Sequence, residues 1–359
     1  MRSSAASDVY KRQHHLVNKM KLKFALCCLF FASAVSEAAA ADAGLRYIQT
    51  RGVVRCGTDL SAKTYAYKDA DGYWRGIDAD LCRTLAAAVL GDKERIEMVN
   101  VTTNMVSKYL TTNKIDVMLG GAPYSAGMEI SSQATPVDVI YYDKQMFLAR
   151  NADKAGSMED YRGQKVCVVN NSEDQYNLEE YNARYNLDLK PLPFASSQRA
   201  KEAFLLNRCT LLTGNALYLT NTLKSANIKD ENTRVLPEVI SVKPVYAFAS
   251  KNNNALRISA KWILNALKLA EDIGINSSNI DIFIGVEDTS TKNLLGVNDA
   301  LWNRFKVRDP QWVRKALKEI GNYGEIYEKN LGRESEFKLE REQNRLLKDG
   351  GLIIPQPFL

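Results

Sequence analysis

Two long extended segments constrain the fold of this chain more than any other feature. They are VIYYDKQMFLA (139–149) and VISVKPVYAFAS (239–250), both rich in β-branched and aromatic residues and poor in turn residues, which predicts strands. If the two pair as crossover strands, the residues between them form a second unit inserted into the first. The sequence therefore predicts two lobes, the first from 42–142 and 243–359 and the second from 143–242.

Strands and helices alternate along both predicted lobes. RGVVRCGTD (51–59) has the pattern of a strand, and GIDADLCRTLAAAVLG (76–91) has that of a helix with Asp78 as its N-cap. Farther along, YLTTNKIDVMLGG (109–121) is echoed by AFLLNRCTLLTGN (203–215). The echo indicates either a similar build of the two lobes or a coincidence between two common helix-to-strand joints. The alternation itself predicts an α/β fold with helices packed on mainly parallel sheets.

Two helices are predicted near the end of the chain. In ALRISAKWILNALKLAEDIG (255–274), apolar residues recur at helical spacing, which predicts a helix with a core-facing stripe. The charged run EKNLGRESEFKLEREQNRLLKD (328–349) has no such stripe. It predicts a solvated helical surface.

The first 41 residues have the pattern of a leader. Within KMKLKFALCCLFFASAVSEAAAADA (19–43), a basic start precedes a short apolar stretch and a run of alanines, which predicts a secretory signal peptide over 20–41. A membrane anchor is the alternative, but the apolar stretch is too short to span a bilayer. Residues 1–19 fit no part of a signal peptide, which favours Met20 as the true start.

Export changes how the cysteines are interpreted. Four cysteines follow the leader, and an oxidising compartment favours disulfides over free thiols. Four cysteines allow three pairings. The lobe assignment favours the pairing that keeps each bond within one lobe, namely Cys56 with Cys82 and Cys167 with Cys209.

Composition excludes several classes of function. The chain has 48 Lys and Arg against 42 Asp and Glu, but most of this excess lies in the leader, so no basic face for nucleic acid is predicted. The only histidines are His14 and His15, which removes Ser-His-Asp and Cys-His catalysis and most zinc sites from the mature chain. No phosphate-binding or dinucleotide-binding glycine motif is present. We predict no cofactor and no metal.

Beyond these patterns, residues 45–359 resemble the periplasmic general L-amino-acid-binding proteins of ATP-binding-cassette (ABC) transporters in Gram-negative bacteria. The resemblance covers nearly the whole mature chain and includes all four of its cysteines. It rests on the segments RGVVRCGTD, GYWRGIDADLCRTLAAAVLGD, NKIDVM, VLPEVIS, GNYGEIYEKNLG and DGGLIIPQP.

The resemblance implies a type II periplasmic-binding-protein fold. In this family, two lobes with mainly parallel sheets are joined by two crossover strands and hold a small solute in the cleft between them. Closure of the lobes around the solute is then recognised by a permease in the inner membrane. The resemblance thus implies a periplasmic transport protein and no enzyme.

Two residues depart from the family pattern. The family places an arginine after the IDV strand to bind the ligand α-carboxylate, and the same slot in GGAPYSAGMEI (120–130) holds Met128. An aspartate that binds the α-ammonium is replaced by Asn215. Both ionic partners of an amino acid are therefore missing from their slots, and we expect an altered specificity for a neutral or cationic nitrogen compound. Lys63 and Arg75 are candidates to supply a compensating charge.

The remaining slots keep polar or aromatic residues that suit ligand binding. Asp59 matches a position that receives a cationic side chain in relatives, and Tyr65 and Tyr124 match aromatic positions beside the ligand. Ser125 follows Tyr124 in the same loop, and Asn171 with Ser172 replaces a Gly-Thr pair. For each of these residues, an ordinary loop residue without a ligand is the alternative.

Two other functions stay open on the same fold. Periplasmic cyclohexadienyl dehydratases share it, and Glu173 or Asp174 near the cleft could then be a general acid if its pKa were raised. A ligand-free regulatory module is the other alternative. The missing arginine disfavours the dehydratase, whose substrates carry carboxylates.

Overall fold

The computed structural model describes residues 45–60, 65–122, 124–152, 155–225 and 232–359. The predicted signal peptide, the stretch before it and Lys63 lie outside these residues. Within the described ranges, no helix combines the length and the apolar character needed to cross a bilayer.

The described strands build one large sheet and one small hairpin. In chain order they are β1 (Val54–Thr58), β2 (Tyr67–Lys68), β3 (Trp74–Arg75), β4 (Ile96–Asn100), β5 (Val117–Met118), β6 (Ala134–Ala149), β7 (Lys165–Val169), β8 (Lys190–Phe194), β9 (Leu211–Asn215), β10 (Arg234–Val235) and β11 (Ser241–Ser250). The large sheet runs β4-β1-β5-β11-β6-β9-β7-β8, with β10 also paired to β6, and β2 pairs with β3.

Helices cover both faces of the sheet. In chain order they are α1 (Ile77–Leu90), α2 (Val106–Thr111), α3 (Ala126–Ser131), α4 (Glu173–Tyr185), α5 (Ser197–Leu205), α6 (Ala216–Ser225), α7 (Asn254–Asp272), α8 (Thr289–Leu294), α9 (Ala300–Arg304), α10 (Trp312–Glu319) and α11 (Tyr323–Asn330). Short 3₁₀ helices cover Thr103–Met105, Met158–Tyr161, Ile280–Gly285, Glu342–Asn344 and Leu347–Asp349. Residues 45–51 form a further helical segment.

The two predicted crossover strands are confirmed as β6 and β11. They pair antiparallel along their whole shared length, from Gln145 opposite Ser241 to Ala134 opposite Ser250. On one side of them β1 pairs parallel with β4 and β5, and on the other side β7 pairs parallel with β8 and β9. The chain is therefore a two-lobed α/β fold: the first lobe holds β1–β5 with α1–α3 and α7–α11, and the second holds β7–β10 with α4–α6.

Apolar side chains pack on both faces of each half of the sheet. In the first lobe, a large cluster lies under α1, α7 and α10, and a smaller one around Val106, Leu110 and Phe248 lies on the other face. In the second lobe, clusters around Phe147 and Phe204 cover the two faces. Each lobe is thus a helix-sheet-helix layer with its own core. The stripe predicted in 255–274 lies in the first-lobe core, with Ile263, Ala266, Leu267 and Ala270 buried.

Both disulfides lie within single lobes. Cys56 of β1 is bonded to Cys82 of α1, and Cys167 of β7 is bonded to Cys209 just before β9. Neither bond crosses from one lobe to the other, so neither restricts rotation of the lobes about the crossover strands.

Asp78 is not the N-cap of α1, contrary to the prediction. The N-cap is Gly76, whose φ of 106° favours glycine, and a Cβ there would lie 2.2 Å from the carbonyl oxygen of Tyr65. Asp78 is instead fully buried, and the Thr58 hydroxyl donates a hydrogen bond of 2.5 Å to its Oδ2. The close packing of Gly76 against the backbone of Tyr65 thus determines where α1 begins.

The prediction of a solvated helix over 328–349 is wrong beyond Asn330, where α11 ends. Residues 331–359, which we name the C-terminal segment, have no α-helix and run along the first lobe and the crossover strands. The reason is a set of well-spaced apolar anchors among the charges; the buried ones are Leu331, Phe337, Leu346, Ile353 and Phe358. The side chain of Asn344 holds the segment to β6 by bonding both the N–H and the carbonyl of Tyr142, at 2.7 and 2.9 Å.

Candidate functional site

The lobes meet through a hydrogen-bonded group at the base of the cleft. Tyr65 comes from the first lobe, just before β2, and its hydroxyl donates a hydrogen bond of 3.1 Å to Oδ2 of Asp143 on β6. Asn215 ends β9 in the second lobe, and its Nδ2 donates to the same hydroxyl at 3.0 Å. Tyr65 and Asp143 are both 7% exposed. The phenol therefore connects both lobes and a crossover strand in one buried group.

Local structure fixes each member of this group. The ring of Tyr65 stacks on Tyr141 of β6 with centroids 5.7 Å apart. The side-chain oxygen of Asn215 accepts a hydrogen bond of 2.7 Å from the N–H of Tyr218, which orients its amide toward Tyr65. The first-lobe loop approaches closely at Gly120, where a Cβ would lie 2.9 Å from Oδ2 of Asp78 and 3.3 Å from the Tyr141 hydroxyl. A larger residue at Gly120 would displace this arrangement.

The base of the cleft carries an excess of carboxylates. Burial raises the pKa of Asp143 to about 6, and the positive charge of Lys243 opposes the rise. Lys243 lies opposite Asp143 on β11, and its Nζ is 3.2 Å from Glu173 and 3.6 Å from Asp174 at the start of α4. Burial also raises the pKa of Asp174. Lys243 thus pairs with two carboxylates, and the third, Asp143, lies opposite it without a salt bridge among the described residues. This environment favours a cationic group over an anionic one.

Met128 occupies an apolar environment. It lies in the short helix α3, and its side chain packs beside the buried cluster of Val101, Val106 and Phe248. Ser125 caps this helix by accepting a hydrogen bond of 3.2 Å from the Met128 N–H. The loop that is expected to hold a carboxylate is therefore anchored to the first lobe by apolar packing.

Tyr124 is the most exposed aromatic residue among those predicted to touch a ligand, with 38% of its surface accessible. Its hydroxyl donates a hydrogen bond of 2.6 Å to Glu129, and its ring lies 4.8 Å from that of Tyr246. Asp59 directly follows β1, and a Cβ on Gly121 would lie 3.1 Å from the Cβ of Asp59. These two residues lie on the first-lobe side of the cleft.

Asn171 and Ser172 lie on the second-lobe side, where β7 leads into α4. Ser172 caps α4 by accepting from the N–H of Gln175, and its hydroxyl donates to the carbonyl of Val169 at 2.7 Å. Asn171 has a left-handed φ of 52°, and its N–H donates to the Gln175 side chain. Of the eight predicted ligand residues, the structure brings only Tyr65 and Asn215 into direct contact across the lobes.

Arg75 has a partner outside the cleft. Its Nε is 2.8 Å from Oδ2 of Asp69, and its guanidinium lies over the ring of Tyr73. With 54% of its side chain exposed, Arg75 is a surface residue of the β2-β3 hairpin.

Sequence reasoning missed Tyr141, Asp143 and Lys243, which complete the group at the base of the cleft. All three lie in the strands that were predicted as crossovers. The sequence could have indicated them, because side chains two residues apart on a strand lie on the same face of the sheet. Tyr141, Asp143 and Gln145 are therefore expected on one face. A carboxylate in the middle of a strand that links two lobes is itself unusual and indicates a special environment.

Comparison with known proteins agrees with the fold. A family model described as bacterial extracellular solute-binding proteins, family 3, matches residues 54–333. The chain belongs to this family. Its architecture is the type II periplasmic-binding-protein fold.

Relatives of this solute-binding protein match it over most of their length. The Escherichia coli (strain K12) protein YhdW, named as a candidate amino-acid ABC transporter-binding protein, is 32% identical over 330 residues, covering 90% of this chain and 95% of YhdW. The general L-amino acid-binding periplasmic protein AapJ of Rhizobium johnstonii is 28% identical over 325 residues, with coverage of 90% and 95%. A solved structure from Brucella ovis, an ABC transporter periplasmic binding protein with glutathione bound, superimposes with a TM-score of 0.79 at 26% identity, covering 87% of this chain and 98% of that one.

Proposed function

We propose that this protein is a periplasmic receptor that delivers a small nitrogen compound to the permease of an ABC transporter by closing its lobes around it. The observation that carries the proposal is the hydrogen bond from Asn215 to Tyr65, which connects the lobes at the base of the cleft. A solute that contacts both lobes stabilises the closed arrangement only through its higher affinity for that state. A contact between residues of the two lobes depends on how close the lobes are, so substitutions at these residues should affect closure.

The charges around the cleft support an altered specificity. Met128 stands where an arginine is expected and packs against an apolar cluster. Glu173 and Asp174 pair with Lys243, and Asp143 lies opposite Lys243 on the neighbouring strand. An unpaired buried carboxylate costs roughly 3 to 5 kcal/mol, which disfavours a solute whose carboxylate must be desolvated here. A solute with an ammonium group suits these carboxylates.

The ligands in the names of related proteins share that group. AapJ is named for general L-amino acids, a relative from Rhodobacter capsulatus is named for glutamate, glutamine, aspartate and asparagine, and the Brucella ovis structure contains glutathione. All of these compounds carry an α-ammonium group. We extend only the ammonium group to the solute of the present chain. The carboxylate is not extended, because Met128 stands where the family is expected to have the arginine that binds it.

The finer boundaries are part of the proposal. The second lobe is placed at 143–242, within the first lobe formed by 42–142 and 243–359. The mature protein is placed in the periplasm of a Gram-negative bacterium after removal of the signal peptide. The permease is its membrane partner.

A screen by thermal unfolding tests the proposal. Purified mature protein is heated with amino acids, polyamines, betaines, small peptides and glutathione, because a ligand bound only by the folded state raises the melting temperature. Hits are then measured by small-angle scattering. A nitrogen compound that both stabilises the protein and reduces its maximum dimension supports the proposal. If none of these compounds stabilises the protein, the ligand-free module becomes the better explanation.

Incubation with prephenate separates the receptor from the dehydratase. In the structure Glu173 and Asp174 both form ion pairs with Lys243, an arrangement that favours their ionised form over that of a general acid. Aromatic product detected by ultraviolet absorbance, and lost in Glu173→Gln or Asp174→Asn, would contradict the proposed function. We expect no product above the level of a heat-inactivated sample.

A further inference from the structure

A cavity of about 310 Å³ lies beside the group at the base of the cleft. One wall is β6 from Tyr141 to Lys144, a second is the start of α6 in the second lobe, and a third is the C-terminal segment of the first lobe. Small-molecule sites in proteins begin at about this size. The cavity contains none of the loop residues Asp59, Tyr124, Ser125, Met128, Asn171 and Ser172 that the family pattern indicates.

Most of the cavity wall is apolar, and its charged residues are Asp143, Lys144, Lys338, Glu340 and Glu342. Leu217 from the second lobe and Leu331, Phe337 and Leu339 from the C-terminal segment form the apolar part. The wall also contains the buried residues Asp143, Tyr65 and Tyr141. The cavity thus suits a molecule with an apolar body and one polar end.

The polar end is best matched by a cation. Of the three carboxylates in the wall, Glu342 pairs with Lys144, and Glu340 pairs with Arg333 at 3.0 Å. Asp143 accepts hydrogen bonds from the Tyr65 hydroxyl and the Lys144 N–H, but within the described part of the chain it has no lysine or arginine at salt-bridge distance. A buried carboxylate without such a partner gains most from an ammonium group, and neighbouring tyrosine faces attract the same charge.

We propose that this cavity binds a primary amine with an aromatic or aliphatic body, whose ammonium group donates to Asp143 and whose body fills the space between α6 and the C-terminal segment. This inference rests on the proposed function, because it names the class of solute that closes the lobes. Both lobes contribute to the wall, so an occupant contacts the first and second lobes together. Its binding energy therefore favours the closed arrangement.

Three probes that differ in the ring or in the charged group test the chemistry by calorimetry. Phenethylamine has both the ring and the ammonium group, ethylamine lacks the ring, and 3-phenylpropionate has the ring with a carboxylate. We expect phenethylamine to bind at least about tenfold tighter than either of the others, as expected when a charge-assisted bond or a ring contact is lost. Equal affinity for phenethylamine and ethylamine, or tighter binding of 3-phenylpropionate, would overturn the inference.

Variants locate the site. Thr220→Phe fills the cavity from α6, and Asp143→Asn removes the charge; each should weaken phenethylamine binding by about tenfold or more. Leu206→Phe and Asp188→Asn make the same changes on the exposed surface of the second lobe and should leave affinity within about twofold of wild type. If Thr220→Phe does not fold, Ala216→Leu adds bulk to the same wall. Unchanged affinity in a folded filling variant would place the amine elsewhere.

Scattering separates failure of this inference from failure of the proposed function. If an amino acid or peptide closes the lobes but phenethylamine does not bind, the inference is wrong and the receptor function stands. If phenethylamine binds with the expected variant pattern but no compound closes the lobes, the cavity site stands and the receptor function fails. Binding of phenethylamine with closure supports both.

Discussion

The Nδ2 of Asn215 donates a hydrogen bond of 3.0 Å to the hydroxyl of Tyr65, although the two residues are 150 positions apart and belong to opposite lobes. The same hydroxyl donates to Asp143 on the strand that joins those lobes. Asn215, which the family resemblance predicts to stand in the ammonium-binding slot, thus bonds to another residue of the protein. Substitutions at Tyr65, Asp143 and Asn215 therefore test directly how the two lobes are connected.

Removal of the Tyr65 hydroxyl should destabilise the fold. In Tyr65→Phe, both Oδ2 of Asp143 and Nδ2 of Asn215 lose a buried partner, which should lower the free energy of unfolding by about 1 to 3 kcal/mol. Urea denaturation measures the loss. Tyr176→Phe is the control, since Tyr176 is exposed, and an equal effect of the two substitutions would show that the bonds of Tyr65 contribute nothing.

The wild-type protein should bind ordinary amino acids such as glutamate poorly. Met128→Arg together with Asn215→Asp restores both ionic partners and should raise glutamate affinity by about tenfold or more, because each charge-assisted bond contributes roughly 1.5 to 3 kcal/mol. Calorimetry compares the two proteins. Met105→Arg is the control, since Met105 packs against the same apolar cluster as Met128.

Tight binding of glutamate by wild type would contradict this prediction. It would mean that another residue binds the carboxylate, with Lys63 the first candidate to substitute. Raised affinity in Met105→Arg alone would show that any added positive charge near the cleft suffices.

Stability should fall as the pH rises through the range in which Asp78 ionises. Burial raises the pKa of Asp78 to about 7, and the hydrogen bond from Thr58 opposes the rise. Because the folded state holds this proton more tightly than the unfolded state, ionisation between about pH 4 and pH 7 costs stability. Urea denaturation of wild type and Asp78→Asn should show wild type losing stability relative to the variant as the pH is raised from about 5 to about 8. A difference between wild type and Asp78→Asn that stays constant over this pH range would contradict the prediction. Asp188→Asn, on the exposed surface, is the control substitution.

The disulfides should stabilise each lobe separately. Loss of the Cys56–Cys82 bond in the double Cys→Ser variant should lower the free energy of unfolding by about 3 to 4 kcal/mol without changing solute affinity, since the bond closes a loop inside the first lobe. Mass mapping of a nonreduced digest checks the pairing itself. A peptide linking Cys56 to Cys167 would contradict it, as would a free thiol.

Much of the fold could be predicted from the sequence because it depends on patterns among residues that are close together in the chain. The crossover strands, the strand-helix alternation and the buried stripe of α7 depend on the periodicity of apolar residues, which the sequence carries directly. The start of α1 could not be predicted in this way, because it depends on the close approach of Gly76 to the carbonyl of Tyr65. The path of the C-terminal segment depends on widely spaced anchors such as Phe337 and Ile353, and these have no period to detect.

The cleft was predictable only in part. Asn215 and Tyr65 could be chosen because family slots mark them, but their direct bond depends on how the lobes meet. Asp143 and Lys243 come together because β6 and β11 pair in one register, and that register is set by the whole sheet. Whether the other predicted residues, among them Asp59, Ser125 and Ser172, contact a solute stays a prediction.

Small-angle scattering of wild type and Asn215→Ala, with and without saturating amounts of a solute found in the thermal screen, shows whether Asn215 takes part in closure of the lobes. Gln198→Ala, on the exposed surface of the second lobe, is the control. We predict that wild type and the control become more compact when solute binds, whereas Asn215→Ala binds more weakly and compacts less, because one contact between the lobes is gone. If Asn215→Ala compacts as fully as wild type at saturation, Asn215 takes no part in closure and the second-lobe assignments are wrong.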